Sequence, residues 1–321
     1  LKSMKKIVVA PDSFKGSLTS AEVADAVERG IKDVFPQCNV VKAGVADGGE
    51  GTVEAIVKAV GGDMYAASVT DPLGRPVKAA YGIVRSGGVK TAVMEMSAAS
   101  GLPLLLPDEL NPWITSTYGT GEMISDALNR GCRKFLVGIG GSATNDAGTG
   151  MLSALGVRFL DSRGQRLKGC GRDLESIARI DMSSLMPAAR ESEFIVACDV
   201  NTPFCGPDGA ARVFAPQKGA NPQTTEALDR GMRSFAQVIA GQFQTDIVPL
   251  SGAGAAGGLG GAFKAFLNAR LTAGIEMVLD AIAFDSLLEG ADLVITGEGR
   301  IDAQTAAGKT AAGVLRHAAR K

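Results

Sequence analysis

Short apolar runs that stop at turn residues, each followed by a segment of helical spacing, set the pattern of this chain. Lys6 to Ala10 (KIVVA) is a continuous apolar run closed by Pro11, and Thr19 then stands before Ala21, Val23, Ala24, Val27 and Ile31 at helical spacing. The pattern predicts a strand, a loop and a capped helix. It recurs at Phe135 to Gly140 (FLVGIG) before Asp146 to Leu155, and at Ala291 to Gly297 (ADLVITG) before Gly308 to Ala319. Such alternation predicts parallel sheets covered by helices, because each crossover lays a helix on a sheet face.

Between the first two of these units the pattern changes. Met64 to Val69 and Val77 to Val84 are β-rich runs on either side of DPLGRP, where Pro72 and Gly74 supply turn geometry, so an antiparallel hairpin is predicted. Asn221 to Gly241 is a polar-capped amphipathic helix. The expected fold is therefore α/β with two domains. One is Rossmann-like with a parallel sheet, built from both chain ends (4–55 and 285–321); the other is a mixed-sheet middle domain (56–284).

Composition narrows the function classes. Hydrophobic residues make up 45% and charged residues 21% of 321 positions, enough to bury a large core. The formal net charge is -1 and no basic stripe is interleaved with aromatics, which argues against nucleic acid or an acidic lipid surface and for small-molecule partners. Cys38, Cys132, Cys170, Cys198 and Cys205 are scattered, odd in number and lack a CxxC pair, so neither a disulfide framework nor a zinc knuckle is indicated and a reducing cytoplasm is expected. No apolar stretch approaches the roughly 20 residues of a membrane helix. Leu1 to Ser3 read as a non-native leader before a natural start at Met4.

Four glycine-rich turns stand where apolar runs end or helices begin: Ala46 to Thr52 (ADGGEGT), Gly138 to Asp146 (GIGGSATND), Ser251 to Gly261 (SGAGAAGGLGG) and Thr296 to Asp302 (TGEGRID). Glycine lets backbone N–H groups close around an anion, and a helix N-terminus adds positive potential, so the set points to phosphate chemistry. GIGGSA also matches the GxGxxA dinucleotide fingerprint, with Asp161 ending the run VRFLD where a ribose carboxylate belongs, and SGAGAAG contains GxGxxG at Gly252, Gly254 and Gly257. An NAD-linked oxidoreductase acting on a small hydroxy acid is the competing expectation. Against it, the first turn continues into Ser142, Thr144, Asn145 and Asp146, a polar cluster better suited to phosphate oxygens and a metal. Ala303 to Thr310 (AQTAAGKT) lacks the first glycine of a Walker A loop, leaving Lys309 as a cation within reach of an anion.

Candidate chemistry gathers at predicted strand ends, where open α/β sheets build their sites. Asp12, Ser13 and Lys15 follow the first strand, Asp199 stands at the end of the apolar run within Phe194 to Val200 (FIVACDV), and Glu298, Arg300 and Asp302 alternate past the last strand. Lys218, in PQKG, is either a further cation or a lysine on a solvated turn. The single histidine, His317, lies on a C-terminal helical segment and is expected at the surface or as a cap, which argues against Ser–His–Asp catalysis and histidine-bound zinc.

Taken together and in this order, APDSFKGSLTS, VADGGEGT, GIGGSATNDAG, CDVNTPFCG, PQKGA, GAGAAGG and ITGEGRID resemble the bacterial glycerate kinase family, across Lys5 to His317. The resemblance implies an ATP- and magnesium-dependent (Mg2+) cytoplasmic kinase that phosphorylates D-glycerate at its 2-hydroxyl, with two α/β domains around a cleft. Similar proteins continue beyond the helix that ends here at Lys321, so the C-terminal part of the first domain is expected to be incomplete.

Phosphoryl transfer needs positioning and charge neutralisation more than covalent chemistry. The expected site has Gly140, Gly141, Ser142 and Asn145, with Gly252, Gly254 and Gly257, around the ATP phosphates. Asp47 or Asp146 would hold magnesium. Lys15 and Arg300 would bind the substrate carboxylate or the moving phosphoryl group, and Asp199, with Asp12 as second choice, would be the base for the hydroxyl. A non-catalytic nucleotide-binding regulator is the third class to be tested.

Overall fold

The computed structural model describes residues 4–14, 16–86, 88–300 and 310–321. The strands in chain order are β1 (Lys6–Pro11), β2 (Asn39–Lys42), β3 (Gly62–Thr70), β4 (Pro76–Ser86), β5 (Val89–Glu95) and β6 (Lys134–Gly138). They continue with β7 (Arg158–Leu160), β8 (Arg179–Asp181), β9 (Glu193–Ala197), β10 (Arg270–Thr272) and β11 (Leu293–Gly297). The longer helices are α1 (Ser20–Val34), α2 (Thr52–Val60), α3 (Tyr118–Asn129), α4 (Pro222–Phe243), α5 (Ala255–Leu267), α6 (Gly274–Ala281) and α7 (Thr310–Ala318).

The chain forms two compact units, Leu1–Asp63 with Ala273–Lys321, and Met64–Thr272. In the first, a three-stranded sheet runs β11-β1-β2, all parallel, with Ile7 opposite both Leu293 and Val40. Central β1 buries both faces, as its uninterrupted IVVA run requires. On one face Ile7 and Val9 meet Ala24, Val27, Ile31 and Phe35 of the first helix and the residue after it. That helix starts where the sequence predicts: Thr19 Oγ1 accepts from the Glu22 N–H while Glu22 accepts from the Thr19 N–H, a capping box of the kind that contributes about 1 kcal/mol.

The second unit is built on a six-stranded sheet, β10-β9-β6-β5-β4-β3, parallel from β10 to β5 and antiparallel between β5 and β4. Mixed character was expected here. The predicted hairpin is present: Asp71 Oδ1 accepts from the N–H groups of Leu73 and Arg75, and Gly74 takes the left-handed conformation (φ +87°) that closes the turn. Phe135 on β6 stacks on Phe194 on β9 at 4.7 Å between centroids, and Phe194 meets Phe263 of α5 at 5.8 Å, which places the core between the parallel strands and that helix. Strands β7 and β8 form a separate antiparallel ribbon.

Candidate functional site

The turn after β6 is the most elaborate loop of the second unit. Gly140 and Gly141 are exposed, and every residue from Ser142 to Gly150 is buried. Asp146, fully buried, organises this stretch. Its Oδ2 accepts from the Thr117 N–H (2.8 Å), the Thr117 hydroxyl (2.8 Å) and the Gly150 N–H (3.2 Å), and its Oδ1 accepts from the Gly148 N–H (3.1 Å). Burial pushes its pKa up while these donors pull it down, and burial wins. Three of the four donors converge on Oδ2 and one on Oδ1. Asp146 is the knot that holds the turn. Thr117 gave no signal in the sequence, because it stands 29 positions from Asp146 and is brought to it only by the folded chain.

Asn145 lies next to Asp146 in the same buried stretch. It is fully buried, with its side-chain amide against Met232 Sδ at 3.2 Å. Ser142 is 6% exposed, and its hydroxyl accepts from Lys218 Nζ at 2.6 Å. Lys218 also donates to the Thr144 carbonyl at 2.6 Å. It is 1% exposed, so the alternative of a lysine on a solvated turn is excluded. Loss of water pushes its pKa down to about 7, with the charge of Asp146 opposing the fall.

The second glycine turn is packed against the first. The Ala147 N–H donates to the Gly257 carbonyl at 3.0 Å, and a Cβ on Gly257 (φ +68°) would lie 2.2 Å from the Thr144 carbonyl oxygen. A Cβ on Gly254 would lie 2.1 Å from the Pro203 carbonyl oxygen, and one on Gly252 would lie 2.7 Å from Cys198 Sγ. At these three glycines a side chain would meet this chain's own backbone or thiol. The GxGxxG spacing reflects close packing. The dinucleotide alternative also loses its ribose carboxylate: Asp161 follows β7 in the separate ribbon, and its Oδ1 closes a turn by accepting from Arg163 and Gln165 N–H groups.

Asp199 is exposed, two residues beyond the carboxyl end of β9, and Ser251 Oγ donates to Asn201 Oδ1 beside it at 2.7 Å. Cys198, one residue earlier, continues the strand by donating its N–H to the Thr272 carbonyl.

In the first unit three carboxylates lie past the carboxyl ends of adjacent parallel strands. Asp12 follows β1, and its N–H donates to the Gly297 carbonyl, where β11 ends and Glu298 begins. Asp12 is 7% exposed; its Oδ1 accepts from the Ser13 N–H at 2.6 Å and its Oδ2 from the Thr310 hydroxyl at the start of α7, at 2.7 Å. Asp47 lies in the loop after β2, which the Val45 N–H ties to the Pro11 carbonyl; its Oδ1 accepts from the Gly49 N–H at 3.2 Å. Glu298 Oε1 is buried and, among the described residues, has no hydrogen-bond partner. Arg300 is exposed beyond them. Lys15, Asp302 and Lys309 lie outside the described residues. Among the described residues no three His, Cys, Asp or Glu side chains gather as a metal-ligand set.

His317 departs from its expected surface position. It is 5% exposed, with Nδ1 2.6 Å from Asp285 Oδ1 and Nε2 3.0 Å from Glu276 Oε2. Burial opposes its charge, but the two carboxylates outweigh burial and hold its pKa above the ordinary value.

Parallel strands ending in glycine turns and carboxylates, in each of two α/β units, are the framework of an α/β enzyme that builds its site at strand ends. The family follows from comparison. Residues 7–321 match the model of the glycerate kinase family, and the chain belongs to that family. It is 49% identical to the glycerate kinase of Haemophilus influenzae over 98% of this chain and 82% of that protein, and 50% identical to the glycerate kinase of Bacillus subtilis over 98% and 81%. The glycerate 2-kinase of Escherichia coli is 47% identical over 96% and 81%. A crystal structure of a candidate glycerate kinase 2 from Salmonella typhimurium superimposes with a TM-score of 0.94 at 48% identity, covering 99% of this chain and 84% of that one. The protein is thus an enzyme of the family that phosphorylates glycerate, a family whose activity implies a nucleotide phosphoryl donor. All five cysteines are free, and among the described residues no helix is long and apolar enough to cross a membrane.

Proposed function

We propose that this protein transfers the terminal phosphoryl group of ATP to the 2-hydroxyl of D-glycerate, giving 2-phosphoglycerate, in the cytoplasm. The observation that carries the choice of hydroxyl is the 47% identity with a glycerate 2-kinase over 96% of the chain. The glycine turn at Gly140–Gly141 is the part of the described structure best suited to phosphate oxygens, since it is exposed and follows a parallel strand. Asp199 is assigned as the base that orients and deprotonates the hydroxyl, and Arg300, with Lys15, as the anchor for the substrate carboxylate or the moving phosphoryl group.

Magnesium fits the first unit. It binds through one or two carboxylates together with waters and substrate phosphates, rather than in an all-protein cage. Glu298, with a buried carboxylate oxygen that lacks a partner among the described residues, and Asp47 offer the hard oxygen ligands it prefers. When bound, the metal neutralises charge on the transferring group.

A coupled assay supplied with ATP, magnesium, D-glycerate and enolase, without phosphoglycerate mutase, tests the reading directly. Immediate phosphoenolpyruvate identifies 2-phosphoglycerate; ADP release without it identifies the 3-isomer and overturns the regiochemistry. ATP binding with no ADP release would return the protein to a regulatory role. Asp199→Asn is expected to lower turnover by about 10² to 10⁴ with nucleotide binding retained. Arg300→Ala is expected to act mainly on glycerate handling.

A further inference from the structure

Lys218 closes the short 3₁₀ turn Pro216–Lys218 and is almost wholly withdrawn from water. Its ammonium group donates to Ser142 Oγ and to the Thr144 carbonyl, both at 2.6 Å, across 76 and 74 positions of the chain. Removing a cation from water costs several kcal/mol, and an apolar side chain of the same length fills such a space at no such cost. Packing is therefore a poor reason for a lysine here.

The residues it holds adjoin an outward-facing pair of amides. Gly140 and Gly141 are exposed, and among the described residues neither N–H donates to another group of the protein. Gly141 has a left-handed backbone (φ +73°), and its carbonyl accepts from the Leu102 N–H on the inner side. The amides that can meet an anion and the ammonium that fixes Ser142 and Thr144 thus belong to one short loop. Asp146 is the charged group that faces the ammonium, and its oxygens are committed to Thr117, Gly148 and Gly150.

We infer that Lys218 is a positioning residue for this loop: its amino group anchors Ser142 and Thr144 from the protein interior and, protonated when an oxyanion sits at Gly140 and Gly141, adds positive potential behind their amides. The inference rests on the proposed reading of this turn as the phosphate cradle and deepens it by one residue, which itself does not touch the ligand. Fixed positive potential behind preorganised amides strengthens their hold on an oxyanion without reorganisation during the reaction.

The test is steady-state kinetics of the full chain with magnesium ATP and D-glycerate, for Lys218→Met, Lys218→Gln and Gly141→Ala, each with a thermal melt. Both Lys218 variants are expected to lower kcat/KM for the nucleotide at least about tenfold while the KM for glycerate stays within about twofold. The melting temperature of Lys218→Met is expected to be no lower than that of the parent, because a buried charge is gone. Parent-like nucleotide kinetics in Lys218→Met, beside a tenfold loss in Gly141→Ala, would overturn the role of Lys218 and leave the cradle standing. Parent-like kinetics in Gly141→Ala would remove the cradle and the inference together. Should Lys218→Met fail to fold, Lys218→Gln decides, since it keeps a donor and lacks the charge: full activity in it overturns the inference. An equal rise of both KM values with a lowered melting temperature would also overturn it, as general structural damage.

Discussion

Lys218 Nζ and Ser142 Oγ lie 2.6 Å apart, both inside the second unit, so a lysine has been carried into the protein to meet a serine on a glycine turn. The pKa of this lysine falls to about 7, chiefly through burial. The unfolded chain holds that proton up to about pH 10.4, so between these values it binds more protons than the folded protein and this lysine makes stability rise with pH. Urea titrations across that range should show a positive slope that Lys218→Met flattens. An identical slope in the variant would show that the ammonium is hydrated.

Asp146→Asn tests the knot of the turn. The substituted amide turns an N–H pair toward some of the four donors that now meet a carboxylate, and a loss of about 3 kcal/mol in unfolding free energy is expected for such a buried network. If Glu298 and Asp47 hold the metal, as proposed, the magnesium concentration at half-maximal rate stays that of the parent. A shifted magnesium dependence with unchanged stability would make Asp146 a ligand.

Gly257→Ala should destabilise through packing. Its Cβ would meet the Thr144 carbonyl oxygen at 2.2 Å on a backbone with φ +68°, so the chain must shift, at a cost of about 2 kcal/mol or more. Thermal melting reads the loss. A variant that melts with the parent yet loses nucleotide affinity would instead put this glycine against a ligand.

His317, the single histidine, gives one imidazole signal to follow by NMR. Its hydrogen bonds to Glu276 and Asp285 hold the folded pKa above that of the unfolded chain. The stabilisation is therefore complete below the unfolded value, near pH 6.5, and is lost as pH rises through the folded value. Glu276→Gln should move the NMR midpoint down. A midpoint at or below the ordinary value in the parent would contradict the carboxylate clamp.

Local patterns made much of the architecture legible. The run Lys6 to Ala10 is a buried central strand, Thr19 caps the helix after it, Pro72 and Gly74 turn the hairpin, and Asn221 caps α4 by accepting from the Thr224 N–H. Strands β2 and β10 left weaker traces because they are short and open on polar residues, and their place comes from neighbours far along the chain. In the candidate site, the sequence put Asp12, Asp199 and the glycine turns beyond strand ends. Burial was not legible there: Asp146 and Asn145 stand in a polar string, and both are withdrawn from solvent.

The sequence by itself determined the order of strands and helices, the positions of the glycine turns and the family, because these depend on residues within one element or one motif. Tertiary structure decided which turn stays open and which is packed shut. Gly140–Gly141 remains exposed, while Gly254 and Gly257 are filled by the carbonyls of Pro203 and Thr144. It also decided that Lys218 is buried and that Asp146 is bound by Thr117. Those outcomes are contacts between segments distant in sequence, set by the sheet order that brings β5, β6 and β9 side by side. No local spacing encodes how much water such a contact excludes.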